Sequence, residues 1–336
     1  MPRWEILASS DLRWHGLGRA PGATVFHSQR WSRVLERGFG GPVEVAALVD
    51  DAGAVSAAWP ACRLKLGPVR ILYGVFPKGN FLGAAEAVSP QLPALAECLR
   101  SRGIHAVRMI ACEDDPVRDL PGAARTAQVR HVLTLTGKTP ESLWAGYRQG
   151  VRRQVRQAQK AGLAVRPMRR EEFPDFHAMQ REMLARNAAA TGLAPAFYEA
   201  IWDELAGDGT AEFLVAETGG AAAAAILAVH DGPVTYYFAG CSRTAALAMR
   251  PNDLLMHTLI ERALVRGAQR LDFLSSDVRD SGLIRFKEKW GGEARPFDLL
   301  EWWFSPWRRG LWKAVMGLAR SRAGAAVIRW GRRLGA

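Results

Sequence analysis

The sequence predicts an α/β (α+β) chain of two tandem units, each a mixed, mostly antiparallel sheet flanked by helices, followed by a basic amphipathic tail. Three observations carry this. Short β-branched and aromatic runs alternate with helical periodicities twice over, in the order strand, hairpin, strand, helix, strand. At 336 residues the chain is long for one small domain and comfortable for two. Beyond Ser305 the composition changes: Arg308, Arg309, Lys313, Arg320, Arg322, Arg329, Arg332 and Arg333 occur with no Asp or Glu. These place the units at 1–135 and 136–304 and the tail at 305–336.

Hydrophobic content of 49% supports a packed core and excludes disorder. The net charge of +12 favours a polyanionic partner or an anionic membrane surface; an arginine-rich proteome would give the same balance. Cys62, Cys98, Cys112 and Cys241 form no C-x-x-C pair, so neither a zinc site nor a disulfide framework is indicated, and a reducing cytoplasm fits. The N-terminus lacks an apolar core of signal-peptide length, and no apolar run reaches the roughly 18 residues of a membrane span. No metal site is expected.

In the first unit Ser28 is the expected N-cap of a helix burying Trp31, Val34 and Leu35. Val43–Val49 and Val55–Pro60 are strands around the turn Asp51-Ala52-Gly53. Val69–Val75 is a strand, Phe76–Asn80 a loop, Leu92–Arg102 a helix ended by Gly103, and Ala106–Ile110 a strand. The join, 131–165, holds one helix from Thr139-Pro140-Glu141 to Gly162. On it Arg148, Arg152, Arg156 and Lys160 fall at successive i+4 positions, opposite Trp144, Tyr147, Val151, Val155 and Ala158. That stripe is either a solvated face or a contact for RNA or phosphate.

The second unit predicts helices at Glu171–Ala185 and Ala196–Leu205, then strands at Glu212–Glu217 and Ala221–His230 around Thr218-Gly219-Gly220. A second hairpin turns at Asp231-Gly232-Pro233 into the run Val234–Phe238, which ends in Ala239, Gly240, Cys241 and Ser242. Pro251 opens a helix with Leu254, Leu255, Leu259, Ala263 and Leu264 at helical spacing, and Gly267 stops it. Leu271–Leu274 reads as a buried strand, a short helix carries Phe286 and Lys287, and Pro296–Phe304 is the last strand. In the tail, Trp307, Leu311, Trp312, Val315, Leu318 and Ile328 beside the cations suit an anionic lipid interface; packing on the body and an RNA-binding arm are the alternatives.

The ordered set of a tyrosine-rich strand before AGCS, the Arg250-Pro251-Asn252 helix start, the LDF strand and the F-K-x-x-W-G-G ending resembles the C-terminal half of the Fem-type aminoacyltransferases, members of the GNAT superfamily. The H-S-Q-x-W and P-K-G-N pieces, the latter holding Lys78, resemble their N-terminal half. The resemblance implies two tandem GNAT-like domains and transfer of an acyl or aminoacyl group to an amine. It implies that a splayed strand offers a backbone N–H to the oxyanion, with Ala239 and Gly240 allowing close approach, and that Lys287 stabilises charge on the carbonyl or leaving oxygen. Tyr236 or Tyr237 would orient a substrate, on opposite sheet faces. Phe286, Arg186, Lys78, Asn252 and Asp272 are further substrate-binding candidates, Asp272 being structural in the plainer reading. The histidines form no triad or metal spacing, and His230 and His257 are simplest as core or sheet-face residues. Val34, Leu35 and Glu36 stand where some relatives carry a phosphate-binding lysine, which argues against a nucleotide-linked muramyl-peptide acceptor.

A coenzyme A-dependent GNAT carries R/Q-x-x-G-x-G/A before its pyrophosphate-binding helix. Here the stretch is Ala248-Met249-Arg250-Pro251-Asn252-Asp253, where Pro251 removes an amide donor and Asp253 adds negative charge. That favours aminoacyl-tRNA as co-substrate, with no bound cofactor. Three functions remain: a cytoplasmic aminoacyltransferase acting on a cell-envelope or peptide amine, peripheral on the inner face of the membrane; an N-acetyltransferase using acyl-CoA or acyl-carrier protein; or a silent RNA- or membrane-binding scaffold.

Overall fold

The computed structural model describes residues 2–20, 22–187 and 192–320. Its strands are β1 (Arg3–Ala8), β2 (Val43–Val49), β3 (Val55–Leu66), β4 (Val69–Gly74), β5 (Ala106–Cys112), β6 (Ala124–Thr134), β7 (Ala164–Pro167), β8 (Ala211–Thr218), β9 (Ala221–Asp231), β10 (Val234–Ser242), β11 (Arg270–Asp277) and β12 (Glu293–Trp303). The α-helices are α1 (Gln29–Phe39), α2 (Ala85–Val88), α3 (Leu92–Ser101), α4 (Pro140–Gly146), α5 (Gln149–Lys160), α6 (Phe173–Arg186), α7 (Pro195–Ile201), α8 (Pro251–Val265), α9 (Ser281–Glu288) and α10 (Pro306–Arg320). The mixed, mostly antiparallel sheet with flanking helices is the architecture of two tandem GNAT-like units.

All strands lie in one sheet of order β1-β2-β3-β4-β5-β12-β6-β11-β10-β9-β8-β7. Two neighbour pairs are parallel, β4 with β5 and β10 with β11; the others are antiparallel. The order has an internal symmetry. β1 to β5 run inward from one edge and β7 to β11 from the other. At the centre the sixth strands are exchanged: β12 pairs with β5, while β6 pairs with β11. β6 and β12 also pair with each other, from Glu293↔Val132 to Glu301↔Ala124. Pro296 stands just before the β5 pairing begins at Phe297, where a missing N–H is tolerated.

Local chemistry explains the main elements. Ser28 accepts from the Trp31 N–H at 3.1 Å and caps α1, and Gly40, at φ 71°, closes it. Trp31, Val34 and Leu35 are buried on the inner face of α1. In β9 the run of alanines is covered on both faces, because Ala225 belongs to the cluster under α6 and α7 while Ala224 and Ala228 lie under α8. The halves also meet through α1 and α7, where Phe39 and Phe197 rings lie 5.2 Å apart. Around them Arg30 pairs with Asp208 at 2.7 Å, Arg33 with Glu204 at 2.7 Å and Arg37 with Asp203 at 2.9 Å. These pairs are partly exposed and each contributes little; the aromatic contact holds the helices together.

Three expectations are corrected. The single helix from Thr139 to Gly162 is two, because Tyr147 and Arg148 adopt extended backbone, ψ 138° and 145°. The break drops the Tyr147 ring into the core, 5.3 Å from Trp290 and 5.8 Å from His257. Arg152 Nη1 donates to Ala145 O at 2.8 Å and so satisfies the end of α4. Arg148 is therefore the non-helical cap of α5 and leaves the stripe. Strands β1, β6 and β7 went unanticipated. The helix expected at Ala196–Leu205 is α7 followed by a π-helical turn, Trp202–Ala206.

Gly38 marks the α1–α7 crossing: a Cβ there would strike Cδ2 of the Phe197 ring. Gly38→Ala is expected to cost about 1–3 kcal/mol of stability by forcing the helices apart. Urea unfolding checks this, as a lower midpoint with an unchanged slope.

Candidate active site

β10 and β11 run side by side for only three residue pairs, Val234↔Arg270, Thr235↔Leu271 and Tyr236↔Asp272, and then part. Both strands are irregular at the parting. β10 bulges between Tyr237 and Ala239 against β9, and β11 shifts register between Asp272 and Ser275 against β6. Leu274 there has φ 56°, a left-handed conformation that costs a non-glycine residue about 1–2 kcal/mol. Beyond Tyr236 the β11-facing edge of β10 has no strand partner, so its backbone groups face the gap.

The gap is an open cleft of about 820 Å³. Tyr237, Phe238, Ala239 and Gly240 line it from β10, and Leu274, Ser275 and Lys287 from the other side. Phe76, Pro77, Met183 and Leu193 close it with apolar surface, and Arg279 and Asp280 stand in its wall before α9. All four residues proposed from sequence for catalysis, Lys287, Tyr237, Ala239 and Gly240, thus border one cavity. The apolar wall, Arg279 and Asp280 were missed, because they come from loops and helix ends with no motif of their own.

Lys287 is 2% exposed. Its Nζ donates to Leu274 O at 2.9 Å and Ser275 O at 3.0 Å, which leaves one of its three N–H bonds for the cleft. Burial pushes its pKa down to about 8, against the opposing pull of Asp272 and Asp280. Gly292 permits this packing: a Cβ there would lie 3.0 Å from Lys287 O and 3.1 Å from the Cβ of His131. Gly240 has a related role, since a Cβ on it would strike the Tyr237 hydroxyl. Phe286 does not line the cleft. It packs behind Tyr237, with ring centroids 6.3 Å apart, under the Lys289 ammonium 4.9 Å away.

The remaining candidates divide by place. Tyr236 and Asp272 point to the other side of the sheet. Asp272 is fully buried, accepting from Arg130 Nη1 at 3.1 Å and lying 3.5 Å from Lys78 Nζ. Its Oδ1 accepts from Leu274 N at 2.8 Å. Arg130 was missed because it lies on β6. Arg186 and Asn252 meet on Ser242 instead of lining the cleft: Arg186 Nη2 and Asn252 Nδ2 donate to Ser242 Oγ at 3.2 and 3.3 Å. Asp253 is buried and ion-paired with Lys289, so its charge is neutralised and the repulsion expected of it toward a pyrophosphate does not arise.

Along α5, Arg152, Arg153, Arg156 and Lys160 line an open groove of about 990 Å³ whose lining contains no acidic residue. Arg156 stacks over Trp144 at 5.4 Å. Arg148 faces a different cavity, beside Lys138, Tyr147 and Trp290. Among the described residues no group of His, Cys, Asp and Glu is placed to hold a metal, and no helix is long and apolar enough to cross a membrane.

The splayed parallel pair, the bulged strand and the cleft between them define an acyltransferase of the GNAT fold with a Fem-like architecture. Residues 145–288 match the family model of the acetyltransferase (GNAT) domain. No curated protein sequence matches the chain. Among solved structures, that of FemX is similar at 17% identity and TM-score 0.68, over 88% of this chain and 96% of that one. A C-terminal DUF2156 domain of a putative lysylphosphatidylglycerol synthetase from Agrobacterium fabrum is similar at 12% and 0.56, over 87% and 92%. A tandem GNAT protein from the clavulanic acid biosynthesis pathway is similar at 14% and 0.55, over 91% and 99%. At these identities the likeness is one of fold.

Two measurements probe the cleft. The rate advantage of the native chain over Lys287→Met in acyl transfer is expected to shrink as pH rises through about 8, because the charged form of Lys287 is lost there; an advantage that grows with pH would assign it the opposite role. Gly240→Ala is expected to displace Tyr237 and lower kcat/KM by about tenfold with little change in Tm.

Proposed function

We propose that the chain transfers an aminoacyl group from aminoacyl-tRNA to the amine of a cell-envelope or peptide acceptor. The observation that carries this is the pairing of an uncompensated basic groove on α5 with a cleft that presents a single buried ammonium. Phosphate backbone suits the groove, where Arg152, Arg153, Arg156 and Lys160 have no acid among them. The ester end would enter the cleft.

The acceptor nitrogen attacks the ester carbonyl, forming a C–N bond. The bond from the carbonyl carbon to the ribose oxygen breaks; the attacking ammonium gives up two protons, one to solvent before attack and one that ends on the leaving oxygen. The remaining N–H of Lys287 and the unpaired backbone of β10 would stabilise the oxyanion; such donors are worth a few kcal/mol each. Tyr237 would orient the substrates. Once substrate fills the open cleft, the apolar wall of Phe76, Pro77 and Met183 would limit the water competing with the amine.

The chain is divided in this reading into units 1–135 and 136–304, supported by the repeated element order. The start of the tail supports peripheral placement on the inner membrane face. Trp312 is anchored 5.9 Å from Trp303, while Trp307 is 64% exposed beside Arg308. Arg322, Ile328, Arg329, Arg332 and Arg333 lie outside the described residues.

A second reading, acyl-CoA as donor, is favoured by the neutralisation of Asp253 by Lys289 at the start of α8. Calorimetric titration with CoA separates the two, micromolar binding supporting the second. For the first, purified protein with aminoacyl-tRNA and candidate amines should consume the ester, and Lys287→Ala should lose most turnover. Arg153→Glu with Arg156→Glu should raise the KM for aminoacyl-tRNA at least about tenfold and flatten its salt dependence, with kcat little changed. Equal turnover in Lys287→Ala removes its assigned role.

A further inference from the structure

A second cavity, of about 240 Å³, lies at the other end of β10, around the hairpin Asp231-Gly232-Pro233. It shares no lining residue with the cleft. Its volume is below the roughly 300–1,000 Å³ of ordinary drug-sized sites, so it suits a small solute. Two features mark it as built for a ligand. Tyr236 is 1% exposed and borders the cavity, yet its hydroxyl has no hydrogen-bond partner among the described residues. Lys78 is 8% exposed, and its Nζ has one carboxylate within 4 Å, the Asp272 oxygen at 3.5 Å, which Arg130 already holds. Buried polar groups in folded proteins are normally satisfied; the Tyr236 hydroxyl opens on the cavity without a partner among the described residues, and the Lys78 ammonium, 5.9 Å above the Tyr236 ring, keeps N–H bonds to spare beyond its pairing with Asp272.

The same wall carries Asp115 and Asp231. Asp231 accepts from the Val25 N–H at 3.0 Å and Asp115 from the Cys112 N–H at 2.6 Å, but neither makes an ion pair among the described residues. Burial raises both carboxyl pKa values. Asp114, already paired with Arg130, and Arg270 complete the charged lining, so Lys78 and Arg270 share one small space with Asp115 and Asp231 without forming an ion pair across it. A simple anion would meet the carboxylates, and a simple cation would meet Lys78 and Arg270. A solute carrying both charges is complementary.

We propose that this cavity binds a small free α-amino acid, its carboxylate taken by the Lys78 ammonium and Tyr236 hydroxyl and its ammonium by Asp231 and Asp115. The site goes beyond the transfer reaction and needs no donor.

Calorimetric titration of the full chain with glycine, alanine and serine tests this, with alaninamide and N-acetylalanine as probes lacking one charge each. Saturable heat is expected for at least one free amino acid, and affinity at least about tenfold weaker for both blocked forms. Lys78→Met should abolish binding, and Tyr236→Phe, which removes one oxygen, should weaken it about three- to tenfold with the fold intact by circular dichroism. Lys287→Met should bind as the native chain does. No heat with any of the three amino acids, equal binding of a blocked form, or full affinity in both cavity variants would overturn the proposal. Loss of binding in folded Lys287→Met would move the ligand to the cleft and overturn it too.

Discussion

Asp272 is a carboxylate with no exposure at all, and a lone buried charge of this kind is expensive. Arg130 from β6 and Lys78 from the loop after β4 neutralise it, so three separate parts of the chain converge on one oxygen. The other oxygen takes the Leu274 N–H and so fixes β11 where it turns away from β10. Leu274 O, left without a strand partner by that turn, receives the ammonium of Lys287. The opening of the sheet, the left-handed residue at its corner and the placement of the cleft's lysine thus descend from one buried ion cluster. Buried ionic groups seldom add net stability over an apolar equivalent, but they can specify one arrangement. Here the arrangement specified is an opening.

A second ammonium ties the groove to the cleft. Lys289 pairs with Asp253 at the start of α8, reaches Gln154 on α5 at 3.3 Å and lies over the Phe286 and Trp290 rings. The basic helix, the helix that follows β10 and the helix that carries Lys287 therefore share a common anchor. Any macromolecule held on α5 has a fixed relation to the cleft.

Much of this was legible in the sequence where local chemistry decides. Ser28, Pro251 and Gly267 mark helix ends by side-chain capping, a missing N–H and a positive φ, and all three do so in the structure. The hairpins were readable from their turns. The helix break at Tyr147 was not, because the helical periodicity continues through it and only the distant Trp290 and His257 draw the ring inward. Strand β6 was hidden for a related reason. Its residues 125–127 are exposed and polar or small, and its register is set by β11 and β12, far along the chain. Missing β6 meant missing Arg130, and with it the partner that makes Asp272 a structural ion. The lysine in F-K was legible because a motif marks it; the carbonyls that hold it were not, because any residue can supply a carbonyl.

The exchange of β6 and β12 bears on how the molecule is made. A ribosome delivers the chain from its N-terminus, so β5 emerges early with one edge bare and waits for a partner encoded near the opposite end. Exposed strand edges of this kind invite pairing with the wrong neighbour. Nascent molecules on one messenger would be at risk of trading that last strand with each other, and the interval before Glu293 is synthesised is the one a chaperone would need to guard.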